Sequence, residues 1–201
     1  MRKFIWGLII GLLIPAAIGY GYFRYGYAPV ATSSAPMPFE KTMARMALKA
    51  RISKEAPKDS PVQPTDENLT AGAKVYNDNC AFCHGWPGQP ASKAAKGMFP
   101  LPPQLMTKDE MVTDDPVGVT YWKVKNGIRM TGMPGFGEML NDNELWQVSE
   151  MLAHADKLPA SATTVLTHML PIPPAEQQGK AQQGPAQQQP SQPKGRVTKK
   201  K

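Results

Sequence analysis

Cys80-Ala81-Phe82-Cys83-His84 holds both cysteines of the chain, separated by two residues, with a histidine directly after the second. Thiols at this spacing sit one helical turn apart and can add across the two vinyl groups of a single porphyrin, the covalent attachment of a c-type haem. His84 then falls beneath the ring, where an imidazole nitrogen can ligate the iron. Two other chemistries use a bare C-x-x-C. A redox dithiol calls for a thioredoxin-like strand ahead of the motif, whereas Thr70 to Asn79 reads as a helix. A zinc site calls for a third and a fourth ligand. No further cysteine exists, and His154 and His168 lack the usual tight spacing.

Three helices are expected to carry this motif. The first runs from about Asn68 to Phe82, with Leu69, Gly72, Tyr76 and Cys80 on one face. Gly72 leaves room for another helix to cross closely. The second takes Asp115 as N-cap and Pro116 as first helical residue, passes through Tyr121, Trp122 and Val124, and stops at Asn126-Gly127. The third opens with Asn141 and Glu144 in a capping-box arrangement and places Leu145, Val148, Met151, Leu152 and Ala155 on one stripe, before Pro159 closes it. The loops between are rich in Gly, Pro and Met and would form a poor core alone. A buried porphyrin would supply the missing apolar surface.

The 201 residues suit one modest domain with appendages. The formal net charge of +7 is carried by the flanks. Residues 1–65 hold nine Lys/Arg against three Asp/Glu, residues 159–201 hold six against one, and residues 66–158 hold eight against twelve. Nucleic-acid binding is therefore not implied. After Arg2 and Lys3, an uncharged run from Phe4 to Phe23 is long enough as a helix to cross about 30 Å of hydrocarbon. A cleaved signal peptide fits the same pattern. No small-x-small cleavage site follows directly, and Tyr20, Tyr22, Tyr25 and Tyr27 resemble an interface belt. An uncleaved anchor places the N-terminus in the cytoplasm and the remainder on the periplasmic, outer side, where haem is attached to such chains.

The expected division is an anchor over 1–27, a Pro-rich linker with a short helix near Phe39 to Glu55 over 28–65, a haem domain over 66–159, and a Pro/Gln-rich basic tail over 160–201. The tail composition cannot build a core and reads as disordered. The 39–55 helix reads equally well as a spacer on the bilayer and as a docking element.

Gly72 and Tyr76 precede the motif, and Pro103-Gln104-Leu105, then Tyr121 to Ile128, then Met130-Thr131-Gly132-Met133-Pro134, then a helix around Trp146 follow it. In that order these residues make the chain resemble a class I cytochrome c of the bacterial, single-haem, membrane-anchored kind, over about Leu69 to Pro159. The resemblance implies an all-α fold, with three main helices and loops around one haem c attached through Cys80 and Cys83. It implies His84 as proximal ligand and Met133 as distal ligand. A soft thioether in a Gly-Met-Pro turn supports Met133 independently, with Met130 its chief rival and Met98, Met106, Met111 and Met139 also present. It also implies that a proline carbonyl orients the histidine, at Pro103, with Pro102 adjacent. Tyr121, Trp122 and Arg129 are candidate donors to the haem propionates. One departure stands out: the final helix of that family carries an aromatic where this chain has Met151, and Trp146 and Tyr76 are the residues able to take over its contact with the first helix.

With both axial positions filled by protein, no coordination site remains for substrate, so the expected role is an electron carrier and not an enzyme. Its expected partners are the membrane, a quinol-side or dehydrogenase donor and an oxidase acceptor, in a respiratory or dehydrogenase-linked chain. Lys93, Lys96, Lys123, Lys125 and Arg129 form either a steering patch or an ordinary solvated face. Other readings are a subunit of a multisubunit oxidase or dehydrogenase, a haem sensor or enzyme with a labile sixth ligand, and an interaction protein with structural haem.

Overall fold

The computed structural model describes residues 1–106 and 112–167, and every regular element among them is helical. Helix α1 (Arg2–Arg24) has no buried residue and is long and apolar enough to cross a membrane, a test that a signal sequence passes as well. Helix α2 (Glu40–Glu55) follows a fifteen-residue connector and buries Ile52. Helices α3 (Asp66–Asn79), α4 (Ala81–His84), α5 (Lys93–Lys96), α6 (Val117–Asn126), α7 (Asp142–Ala153) and α8 (Ala160–Thr167) build the body.

Local signals explain where these helices start. Thr65 Oγ1 accepts from the Asn68 amide at 3.3 Å, and Asp66 and Glu67 place negative charge in the first turn of α3. Asn141 and Glu144 form a complete capping box on α7, with bonds of 3.0 and 2.9 Å. Helix α6 begins one residue later than the sequence suggests. Pro116 is its N-cap, with ψ of 134° outside the helical range, and Asp115 instead pairs with Lys123 Nζ at 2.9 Å.

The core forms where α3 crosses α7, with α8 laid along α3 and α6 along α7. Leu69, Ala73, Tyr76, Leu145, Val148, Met151 and Leu166 are all buried there. Gly72 sits at the crossing: a Cβ on it would lie 2.7 Å from the Gln147 carbonyl carbon and 2.8 Å from Met151 Cβ. The contact with the first helix is thus made by Met151 itself. The Trp146 ring stacks on Tyr121, with centroids 3.9 Å apart.

Two expected boundaries move. Residues 160–167, assigned to a disordered tail, form α8, which buries Ala162 and Leu166 against the core. Asn77 Nδ2 donates to the Val165 carbonyl at 2.6 Å, tying it to α3. The rest of the expected tail, His168 and Met111 lie outside the described residues. The 28–65 segment is also more than a linker. Ile52 and Val62 are buried, and Pro57 packs so closely on Gly118 that a Cβ there would meet the proline's carbonyl group.

Candidate haem site

Helix α3 ends at Cys80, whose φ of −113° breaks what the periodicity suggests is one continuous helix. The single turn of α4 follows and carries Cys83 and His84. Gly85 closes the turn with φ of +79°, a conformation that glycine adopts without a Cβ clash. The buried hydroxyl of Tyr76 donates to the Gly85 carbonyl at 2.7 Å, so the core helix holds the far end of the motif in place. Desolvation drives the Tyr76 phenol well above its ordinary range and keeps it a donor.

A cavity of about 490 Å³ opens beside this turn. Cys80, Cys83, His84 and Met133 all line it, and its wall is otherwise chiefly apolar, with Leu101, Leu105, Val124, Ile128, Phe136 and Leu152. The Cys80 thiol is buried, and desolvation with Cys83 nearby pushes it up to about 12. His84 Nδ1 lies 2.8 Å from the Pro103 carbonyl. A carbonyl only accepts, so Nδ1 carries the proton and Nε2 keeps its lone pair for another partner. Burial lowers the His84 pKa, opposed by the bond to Pro103, so the imidazole stays neutral and able to ligate a metal.

The 127–135 loop brings Met133 to the cavity. Gly127 has φ of +69°, and the space where its Cβ would stand is taken by Gly135 N at 2.5 Å and Pro134 C at 2.6 Å. Ile128 N donates to the Met133 carbonyl at 3.2 Å, and Met133 N donates to Thr131 Oγ1 at 3.1 Å. Met130 points away from the site, with φ of 60° and 91% exposure. Met139 is also exposed, and Met106 lines a separate cavity of about 250 Å³. Of the described methionines only Met98 and Met133 line the larger cavity.

The residues suggested as propionate donors sit elsewhere. None of Tyr121, Trp122 and Arg129 lines the cavity. The Tyr121 hydroxyl donates to Asp142 Oδ1 and accepts from Lys125 Nζ at 2.7 Å. Trp122 faces α2, its indole N–H donating to Glu55 Oε2 at 3.1 Å. Arg129 is exposed. Conversely, Leu48, Thr120 and Lys123 line the cavity without having been singled out as haem-site residues, and Met98, a lesser rival of Met133, lines it too. Lys123 was legible only as one cation among several, and nothing in the sequence ties Leu48, more than thirty residues ahead of the motif, to the cavity.

Two thiols, a neutral imidazole with a lone pair to offer, a thioether and an apolar wall suit a haem. Residues 67–151 match the family model described as cytochrome c oxidase, cbb3-type, subunit III. No curated protein matches the chain. Among solved structures, one similar chain comes from the Kuenenia stuttgartiensis reducing HAO-like protein complex Kustc0457/Kustc0458, at 24% identity and a TM-score of 0.42. The match covers 49% of this chain and 48% of that one, so it spans about half the length of each. The family match implies haem c as cofactor and electron transfer as role, and residues 67–151 are a c-type cytochrome domain.

Proposed function

We propose that the chain is a membrane-tethered electron carrier with one haem c, held by α1 on the outer face of the cytoplasmic membrane. It takes single electrons from a quinol-side or dehydrogenase donor and passes them to an oxidase in a respiratory or dehydrogenase-linked chain. The observation that carries the reading is the common cavity of Cys80, Cys83, His84 and Met133, with His84 Nδ1 tied to Pro103. Haem bound there supplies a one-electron iron couple.

The chain's own residues do the rest. Cys80 and Cys83 would hold the porphyrin, each thiol adding S–H across one vinyl double bond to give two thioethers without net oxidation. Pro103 fixes the tautomer and the ring orientation of His84, leaving the Nε2 lone pair free, so that it would ligate the iron. The bonds of Thr131 and Ile128 hold Met133 at the cavity, where its thioether would serve as the second protein ligand to the iron. A thioether and an imidazole as ligands would favour a raised potential, and the apolar wall would exclude water that stabilises the more charged state. Lys123, braced by Asp115, lines the cavity wall and is a candidate donor to a haem propionate.

A second reading, a cytochrome subunit within a multisubunit oxidase or dehydrogenase, is favoured by the oxidase-subunit description of the matching family. One set of measurements on detergent-purified protein tests the carrier reading. The reduced protein should show haem c absorbance with a far-red methionine-to-iron band that carbon monoxide leaves unchanged, and no thiol should react with an alkylating reagent. A colourless protein with both cysteines alkylatable would refute it, and rapid carbon monoxide binding would move it to the sensor or enzyme class. Stoichiometric co-purification with other redox subunits would favour the second reading.

A further inference from the structure

Helix α2 has two unlike faces. Toward the domain it sets Ile52, which is buried, Leu48, which lines the haem cavity, and Glu55, which accepts from Trp122. At 100° per residue, Met43 and Met46 fall together on the opposite side, 62% and 65% exposed, and the N-cap Phe39 just ahead of the helix is 76% exposed. Arg45, Lys49, Arg51 and Lys54 lie along the same helix, which holds five cations and two acids. Both acids are engaged within the protein. Glu40 Oε2 accepts from the Met37 amide at 2.8 Å, and Glu55 holds Arg51 at 2.6 Å.

We infer that α2 is an interfacial helix which lies on the bilayer, seating Phe39, Met43 and Met46 among the lipid chains and its cations among anionic headgroups. Charge and tether both point to lipid as the occupant. An apolar stripe flanked by Lys and Arg suits the headgroup boundary, and cations close to an anionic surface add attraction. The fifteen residues between Arg24 and Glu40 reach at most about 50 Å even when fully extended, so α1 in a membrane keeps α2 near its surface. The inference rests on α1 being an anchor. Its consequence is orientation: the face of α2 that meets the haem cavity is opposite the lipid face, so the domain stands on α2 with one fixed side toward the membrane.

The test uses the full haem-loaded chain in lipid nanodiscs, with a nitroxide at Met46→Cys and a control label at Lys74→Cys on the exposed side of α3. In discs containing anionic lipid, the label at 46 should be shielded from a water-soluble nickel chelate and accessible to oxygen, and the label at 74 should be open to the chelate. Replacing Met43 and Phe39 by Glu should abolish the shielding, and high salt should weaken it. Equal chelate access at 46 and 74 in anionic discs overturns the inference. So does shielding that survives in lipid-free detergent with spin–spin broadening, which would identify a second copy of the chain as the occupant. Failure of the underlying reading looks different: without an anchor the protein does not co-isolate with the discs, and without thioethers more than one label per chain is taken up.

Discussion

Replacing Gly72 by alanine tests the helix crossing that leads into the haem motif. On an open helix the change would stabilise by about 1 kcal/mol, because alanine loses less backbone entropy. At this crossing the new Cβ would stand 2.8 Å from Met151 Cβ, where ordinary contact begins at 3.4 Å, and would press on the backbone of Gln147. Helices α3 and α7 must therefore part by more than half an ångström along a buried seam. Backbone cannot rotate aside as a side chain can, so the upper end of overpacking costs applies, about 3 kcal/mol. The net loss is about 2 kcal/mol, which for a domain of this size lowers the melting temperature by about 8 to 16 °C. Thermal unfolding of the haem-loaded full chain, followed by far-ultraviolet circular dichroism and the Soret band, measures it. Adding Met151→Ala, which alone costs about 2–5 kcal/mol, should not rescue the variant, since the position-151 Cβ and the Gln147 carbonyl both remain. An unchanged or raised melting temperature for Gly72→Ala would refute the tight crossing.

Among the thioethers, Met133→Ala should abolish the far-red band, lower the reduction potential and admit carbon monoxide, while Met98→Ala and Met130→Ala should keep the band; a spectrum governed by Met98 would reassign the ligand. Tyr76→Phe removes the buried donor to Gly85 and should cost about 1–3 kcal/mol in denaturant unfolding, and a loss near zero would mean that the carbonyl finds another partner. The bonds from Tyr121 and then Lys125 hold the Asp142 carboxyl below its usual range. Its folded value lies below its unfolded value, so this stabilisation is present above about pH 4 and is lost as pH falls through the folded value. Because Asp142 is largely exposed, Asp142→Asn should cost less than about 1 kcal/mol at neutral pH, and the gap from the parent should close in acid; a gap that is the same in acid would assign the effect to packing.

The haem motif and the α7 capping box were legible because each is a short pattern whose chemistry is complete in itself. The all-helical fold was legible too, since periodicity and turn residues mark α3, α6 and α7 independently. What escaped depends on contacts distant in sequence. Helix α8 follows Pro159 and is rich in Thr, a weak helix former, so it depends on its contacts with the body: Ala162 and Leu166 in the core, the bond from Asn77 to Val165 and the Thr70–Ser161 hydroxyl pair at 2.7 Å. Tyr121 and Trp122 both looked like haem contacts from composition. The rotation of α6 turns the indole to Glu55 and stacks the phenol on Trp146, and that rotation is set by packing against α2 and α7. Between Met130 and Met133 the sequence offered two sulfurs in one loop, and the backbone path through Gly127 brings the second to the cavity wall while Met130 stays exposed.

The missing side chain at Gly118 gives the cytochrome domain an earlier beginning than its family match suggests. Pro57 fills the space that a methyl would need, and Val62 and Ile52 on either side of it are buried. Cutting the polypeptide at Asp66 would thus strip a strap that is woven into the same solid, uncovering the flank of α6 and removing Leu48 from beside the haem. The stretch between α1 and the Cys80–His84 motif is for this reason part of the cavity's own wall, and if α1 is the proposed anchor, whatever pulls on it would be felt at that cavity.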